Sequence, residues 1–155
     1  MDPVATAEQR SRIQMPFTLP ECGEGEHITV ASGQPEELRK KTVFWLGSAR
    51  GHRGYQILDR LIREDASPEV RSQAVFALSV SPEPDALQAM IRTAHDDKSP
   101  NVRGQALFWL AQKAQKKAAV EAIENAVEND PETEVNKQAV FAFSQMPAEQ
   151  GTAML

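Results

Sequence analysis

Four side chains in this sequence could serve as metal ligands, bases or nucleophiles near neutral pH: Cys22, His27, His52 and His95. No two of the histidines stand at the spacing of four that would aim both rings from one helical face at a metal ion. They read as surface or loop histidines. Cys22 and His27 flank a glycine-containing stretch and could in principle act together. Nucleophilic catalysis also needs a positioned third group and an oxyanion site, and nothing in the sequence suggests either. A single cysteine forms no internal disulfide, and it has no CxxC partner for redox or metal chemistry. The run Gly23-Glu-Gly-Glu26 carries acidic side chains where a phosphate loop needs bare backbone and a lysine, so it reads as a turn. No catalytic, cofactor-binding or metal-binding residue is therefore expected.

Charge offers a different kind of site. Seventeen basic and 22 acidic residues leave a net charge of -5, which argues against a general phosphate-backbone binder and disfavours nucleic acid as a partner. The two signs are segregated. Arg39, Lys40, Lys41, Arg50, Arg53, Arg60 and Arg63 make the early part of the array basic. Glu121, Glu124, Glu128, Asp130, Glu132 and Glu134 follow one another with no basic residue between them, and the first three share one helical face at spacings of three and four. A solvated face explains such a run first, and an acidic docking surface second. The asymmetry could orient an approaching partner.

The remaining composition bounds the class. With 41% hydrophobic residues the chain of 155 residues is expected to fold as one domain of ordinary size. The first ten residues lack the apolar core of a signal peptide, and no run approaches the ~18 apolar residues of a membrane span. A soluble, cytoplasmic protein with no membrane partner is expected.

The elements that carry these residues are revealed by a repeat. Lys41-Thr-Val-Phe-Trp-Leu-Gly47, Gln73-Ala-Val-Phe-Ala-Leu-Ser79, Gln105-Ala-Leu-Phe-Trp-Leu-Ala111 and Gln138-Ala-Val-Phe-Ala-Phe-Ser144 align without gaps, and their phenylalanines at 44, 76, 108 and 141 are 32, 32 and 33 residues apart. Apolar residues recur at spacings of three and four, so each copy reads as two helices. First helices are expected at about 36–47, 68–79, 100–113 and 132–145, and second helices at about 54–65, 85–96 and 117–129. Ser67-Pro68 and Ser99-Pro100 place a capping oxygen before a proline at the first helical position, and Asp130-Pro131 does the same one step earlier. Hairpins of this size bury their apolar faces only by stacking, so an all-α solenoid follows. Thr42, Ala74, Ala106 and Ala139 are small residues one step before the core triplet, which suits close helix crossings.

These residues resemble the HEAT repeat, in particular the short variety of bacterial HEAT proteins and phycobilisome lyase-type repeats. The motif that carries the resemblance is Asp65-Ala-Ser-Pro-Glu-Val-Arg71 and Asp97-Lys-Ser-Pro-Asn-Val-Arg103, each followed by a small residue and an aliphatic–aromatic run ending in leucine. The resemblance implies a right-handed α-α superhelix over residues 36–155, about 3.5 repeats with the last one truncated. It implies a ladder of hydrogen bonds between repeats through Asp65, Arg71, Asp97, Arg103 and Asp130, from which the fourth copy departs in having Asn136 in place of the arginine. It also implies a scaffold that binds a protein partner, without catalysis, along the surface lined by second helices. Relatives of this kind also include pigment- or cofactor-handling lyase-type proteins, the alternative reading, and DNA-binding glycosylases, a third; fold alone does not choose among them.

On the scaffold reading the second-helix residues that project between apolar positions are candidates for partner contact: Gln56, Asp59, Arg60 and Arg63, then Gln88 and Arg92, then Glu121 and Glu124. Trp45 and Trp109 join them, because the matching residues are Ala77 and Ala142 and position 45 points away from the core triplet on a helical wheel. Packing against a neighbouring helix is the competing explanation for both tryptophans. Residues 1–35 do not follow the repeat. Phe17–Leu19 and Ile28–Val30 could pair as a short β-hairpin that caps the first repeat, or the segment could be an irregular tail. At the other end Leu155 aligns with Leu58, Met90 and Ile123, halfway through a second helix, which suggests a piece of a longer array and makes self-association through an uncapped end plausible.

Overall fold

A computed structural model of the chain describes residues 33–49, 51–113 and 116–146. Seven helices run through them: α1 (Glu36–Ala49), α2 (Gly51–Glu64), α3 (Pro68–Val80), α4 (Ala86–Asp96), α5 (Pro100–Ala111), α6 (Lys117–Asn129) and α7 (Thr133–Ser144). The described residues contain no strand. The hairpin expected between Phe17–Leu19 and Ile28–Val30 lies outside them, as do Cys22, His27 and the chain after Met146.

Local chemistry sets the helix ends. Glu36 and Glu37 occupy the first turn of α1, where the helix dipole favours negative charge. Gly51 takes φ of 50°, the left-handed conformation that glycine adopts without strain, and so α2 begins three residues ahead of the expected start. Ser67 caps α3, its hydroxyl accepting the Val70 N–H at 3.3 Å, with Pro68 at the first helical position.

The other two expected caps work differently. Ser99 precedes α5 but makes no side-chain cap bond. Instead the Asp97 carboxylate accepts the Ser99 N–H at 2.8 Å. Asp130 closes α6 rather than opening α7: its backbone N–H donates to the Ala126 carbonyl at 3.2 Å, while its carboxylate accepts the Glu132 N–H at 2.9 Å. Pro131 stays outside the helix, and α7 starts after Glu132. The physical reason is the reach of a short acidic side chain to the N–H two residues on, a turn that competes with helix capping.

The helices form two layers. α1, α3, α5 and α7 pack in series in one, α2, α4 and α6 in the other, and consecutive helices pack across the layers. Between them lies one continuous core that includes Val43, Leu46, Leu58, Val75, Leu78, Met90, Leu107, Leu110 and Ile123. The arrangement is that of a helical solenoid, the only way hairpins this short can bury their apolar faces.

Small residues line the buried side of the odd-numbered helices. Ala74, Ala106 and Ala139 are fully buried. Gly47 marks a close backbone approach, because a Cβ built on it would fall 2.3 Å from the Ala77 carbonyl oxygen. Backbone thus meets backbone between α1 and α3, which no larger residue at position 47 would permit.

Candidate functional site

Along one edge of the array the turns that precede α3, α5 and α7 are joined by charged side chains. Arg71 donates from Nε and Nη2 to the two carboxylate oxygens of Asp97, at 2.8 and 2.9 Å, and from Nη1 to the carbonyls of Asp65 and Ala66, at 2.9 and 3.2 Å. Arg103 repeats the pattern one unit later, meeting Asp130 at 2.8 and 2.9 Å and the Asp97 carbonyl at 2.8 Å. Each arginine thus fastens its own turn and grips the next with the paired bonds that a planar guanidinium makes best. The ion pairs are desolvated, Arg71 being 1% exposed and Arg103 7%.

Two members of this ladder were not among the sequence candidates. Arg39 pairs with Asp65 through Nη1, and its buried Nε has no partner among the described residues. Position 39 lies 32 residues before 71, so the register itself was the signal. Asn136 stands where a further arginine would be. With its amide oriented by the acceptors around it, it donates to the carbonyls of Ala126 at 2.9 Å and Asp130 at 3.2 Å. It fastens its own turn and is too short to grip another.

Burial opposes the charge on Asp130. The hydrogen bond from Arg103, the Glu132 N–H and the arginine's charge outweigh that penalty and hold the carboxyl below its ordinary value. The same hydrogen bond raises the Arg103 pKa against burial.

The even-numbered helices present a polar face that contains most of the partner-contact candidates. On α2, Asp59 sits between two arginines, accepting from Arg63 at 2.7 Å and, across the repeat boundary, from Arg92 of α4. Tyr55, half-buried beside them, has its hydroxyl pKa raised first by burial and then by the Asp59 charge, with Arg92 acting in the opposite sense. Gln56 is exposed and contacts His52 at 3.2 Å, and His52 in turn reaches Glu83 at 3.1 Å. Arg60 is exposed.

Between α4 and α6 this face opens into a groove of about 660 Å³. Gln88, Ile91, Arg92 and His95 form one wall and Glu121, Ala122, Asn125 and Asn129 the other, with Ala94 and Ala126 in the floor. Glu121 also pairs with Lys117 at 3.0 Å. Glu124 is half-buried, its Oε1 enclosed and without a partner among the described residues. Sequence reasoning named Gln88, Arg92 and Glu121; it missed Ile91, His95, Asn125 and Asn129, whose convergence depends on how α4 and α6 are set against each other.

Trp45 and Trp109 lie in the odd-numbered layer, apart from this groove. Trp45 is 63% exposed on α1 and touches Phe44 edge-on. Trp109 is half-buried, its ring 4.9 Å from that of Phe76 on α3. A second groove, of about 610 Å³, runs beside that contact; Phe76 and Trp109 are its aromatic residues, among Lys40, Glu69, Ser72, Gln73, Asn101 and Gln105. The lyase-type alternative calls for a cleft with aromatic walls, and the α4–α6 groove contains no phenylalanine, tyrosine or tryptophan. A DNA-binding surface calls for continuous positive charge, whereas the even-helix face passes from Arg60, Arg63 and Arg92 to Glu121 and Glu124.

Among the described residues no three His, Cys, Asp or Glu side chains gather as a metal ion would require. No described helix is long and apolar enough to cross a membrane. A family model for HEAT repeats matches residues 28–103, from eight residues ahead of α1 to the Arg103 of the ladder. A comparison with curated proteins finds no match.

Proposed function

With residues 28–103 assigned to the HEAT-repeat family, whose members generally mediate contacts between proteins, we propose that this chain is a non-catalytic scaffold that binds a protein partner on its even-helix face. The observation that carries the reading is the α4–α6 groove. Its walls offer hydrogen-bond donors and acceptors of both charges, Gln88, Arg92, Asn125 and Glu121, beside apolar Ile91 and Ala122 and above a floor of Ala94 and Ala126. Interfaces combine an apolar centre with a polar rim in this way. The Asp59–Arg92 pair extends the same surface onto α2 and fixes the arginine that would meet the partner.

The reading places Gln56, Asp59, Arg60 and Arg63 at one end of the contact and Glu121 and Glu124 at the other, so a partner would run across the helices and meet positive charge before negative. Simultaneous Gln88→Ala, Arg92→Ala and Glu121→Ala changes test it. These side chains are exposed, so helical content by circular dichroism should be unchanged while retention of the partner falls at least tenfold. Unchanged retention by the triple variant would remove this face from consideration.

A further inference from the structure

We propose that the chain associates head to tail with a second copy of itself, the outer face of α7 receiving α1 of the next molecule as α3 receives α5. The first observation is a mismatch in burial between equivalent positions. Leu38, Thr42 and Trp45 of α1 correspond in the repeat to Val70, Ala74 and Ala77 of α3 and to Val102, Ala106 and Trp109 of α5. Val70, Ala74, Ala77, Val102 and Ala106 are fully buried, and Ala77 meets Gly47 of the preceding repeat, yet Leu38 is 41% and Trp45 63% exposed. On α7 the forward positions show the converse. Val140 is 57% exposed where Val75 and Leu107 are fully buried, and Phe141 is 55% exposed.

The two open faces belong to complementary types. Tryptophan occurs in the first and third copies, Trp45 and Trp109, and alanine in the second and fourth, Ala77 and Ala142. Two residues on, the forward-facing positions read Gly47, Ser79, Ala111 and Ser144. The helices that carry serine there, α3 and α7, also share Gln-Ala-Val-Phe-Ala, and α3 is the one that meets a tryptophan helix: Phe76 lies against Trp109 at 4.9 Å. α7 therefore presents the α3 kind of face, Val140, Phe141 and Ser144, and α1 the α5 kind, Leu38, Thr42 and Trp45. Placing one on the other sets Phe141 against Trp45 as Phe76 is set against Trp109.

Charge agrees with this pairing. At the α1–α3 step Lys40 and Glu69 of the following repeat, opposite in charge, line one groove. Lys137 occupies the Lys40 position on α7, and Glu37 occupies the Glu69 position on α1. Both side chains are largely exposed, Lys137 at 70% and Glu37 at 73%. Stacking a second copy brings them together in the same sense. Such a contact joins two different surfaces, so it does not close on itself in a dimer and adds copies until a ring or filament forms.

Sedimentation velocity over a concentration series up to about 1 mM, where even a millimolar association shows, tests the proposal on the full chain. Average mass should rise with concentration. Trp45→Glu and Phe141→Glu, each at an exposed site, should each give monomer alone, and a mixture of the two should stop at a dimer because only one open pair of faces remains. Glu37→Lys and Lys137→Glu should each weaken the assembly at least tenfold, and the two changes in one chain should restore it. A wild-type chain that stays monomeric throughout overturns the proposal and leaves the faces to other residues of the chain or to further repeats. An assembly unaffected by Trp45→Glu or Phe141→Glu overturns it equally.

Discussion

Arg71 of α3 holds both carboxylate oxygens of Asp97, 26 residues ahead, while its third nitrogen holds the carbonyl of Asp65 six residues behind. One buried cation thereby fixes the spacing between two successive turns. Taking charges out of water is costly, and the ladder recovers that cost only because nearly every polar atom of the arginine is bonded. Asp97→Ala should therefore destabilise the chain by about 3–5 kcal/mol, since it leaves Arg71 buried without a counter-charge. Chemical denaturation measures the loss, and a double-mutant cycle with Arg71→Met should recover much of it.

Asp130 makes the ladder sensitive to acid. Its carboxyl is held below the ordinary value in the folded chain, so the folded state binds its proton less readily than the unfolded state does. The stabilisation is present above the ordinary carboxylate pKa of about 3.9 and is lost as pH falls from there through the folded value. Melting temperature followed from pH 6 down to pH 2 should accordingly drop more steeply for the wild-type chain than for Asp130→Asn, with the curves converging at the acid end.

At position 47 the usual preference is inverted. Replacing a helical glycine by alanine ordinarily stabilises by about 0.5–1 kcal/mol. Here the added methyl would meet the Ala77 carbonyl oxygen at 2.3 Å, and the obstacle is backbone that cannot rotate away. Gly47→Ala should instead destabilise by about 1–3 kcal/mol, seen as a lowered denaturation midpoint with little change in helical content.

Ala106 of α5 is fully buried in the core. Ala106→Leu should overpack the core there and cost about 1–3 kcal/mol, whereas Gln105→Leu, one residue away on the exposed side, should stay within about 0.5 kcal/mol of wild type. A midpoint shift for the first and none for the second is the expected denaturation result.

Much of this architecture is legible in the sequence because a repeat multiplies weak signals. A single run such as Val-Phe-Ala-Leu says little, but Phe44, Phe76, Phe108 and Phe141 in register place four helices at once. The same register led to Asp65, Arg71, Asp97 and Arg103, and it extends to Arg39, whose separation from Arg71 is one repeat. Other features depend on distances that the register leaves open. Asp59 and Arg92 come from different repeats with no shared motif, and only the setting of α2 against α4 joins them. The tightness at Gly47 likewise follows from how far α1 leans on α3. Ser99 was expected to cap α5 as Ser67 caps α3, yet its hydroxyl makes no cap bond and its N–H instead reaches Asp97.

The binding surface can be tested directly by placing a photo-crosslinking residue at one position at a time, Gln88 or Glu121 beside the α4–α6 groove and Ser72 or Gln105 beside the α3–α5 groove. Adducts with one and the same protein from positions 88 and 121, and none from 72 and 105, are the predicted result. Adducts with that protein from 72 or 105 and none from 88 or 121 would contradict the assignment of the even-helix face.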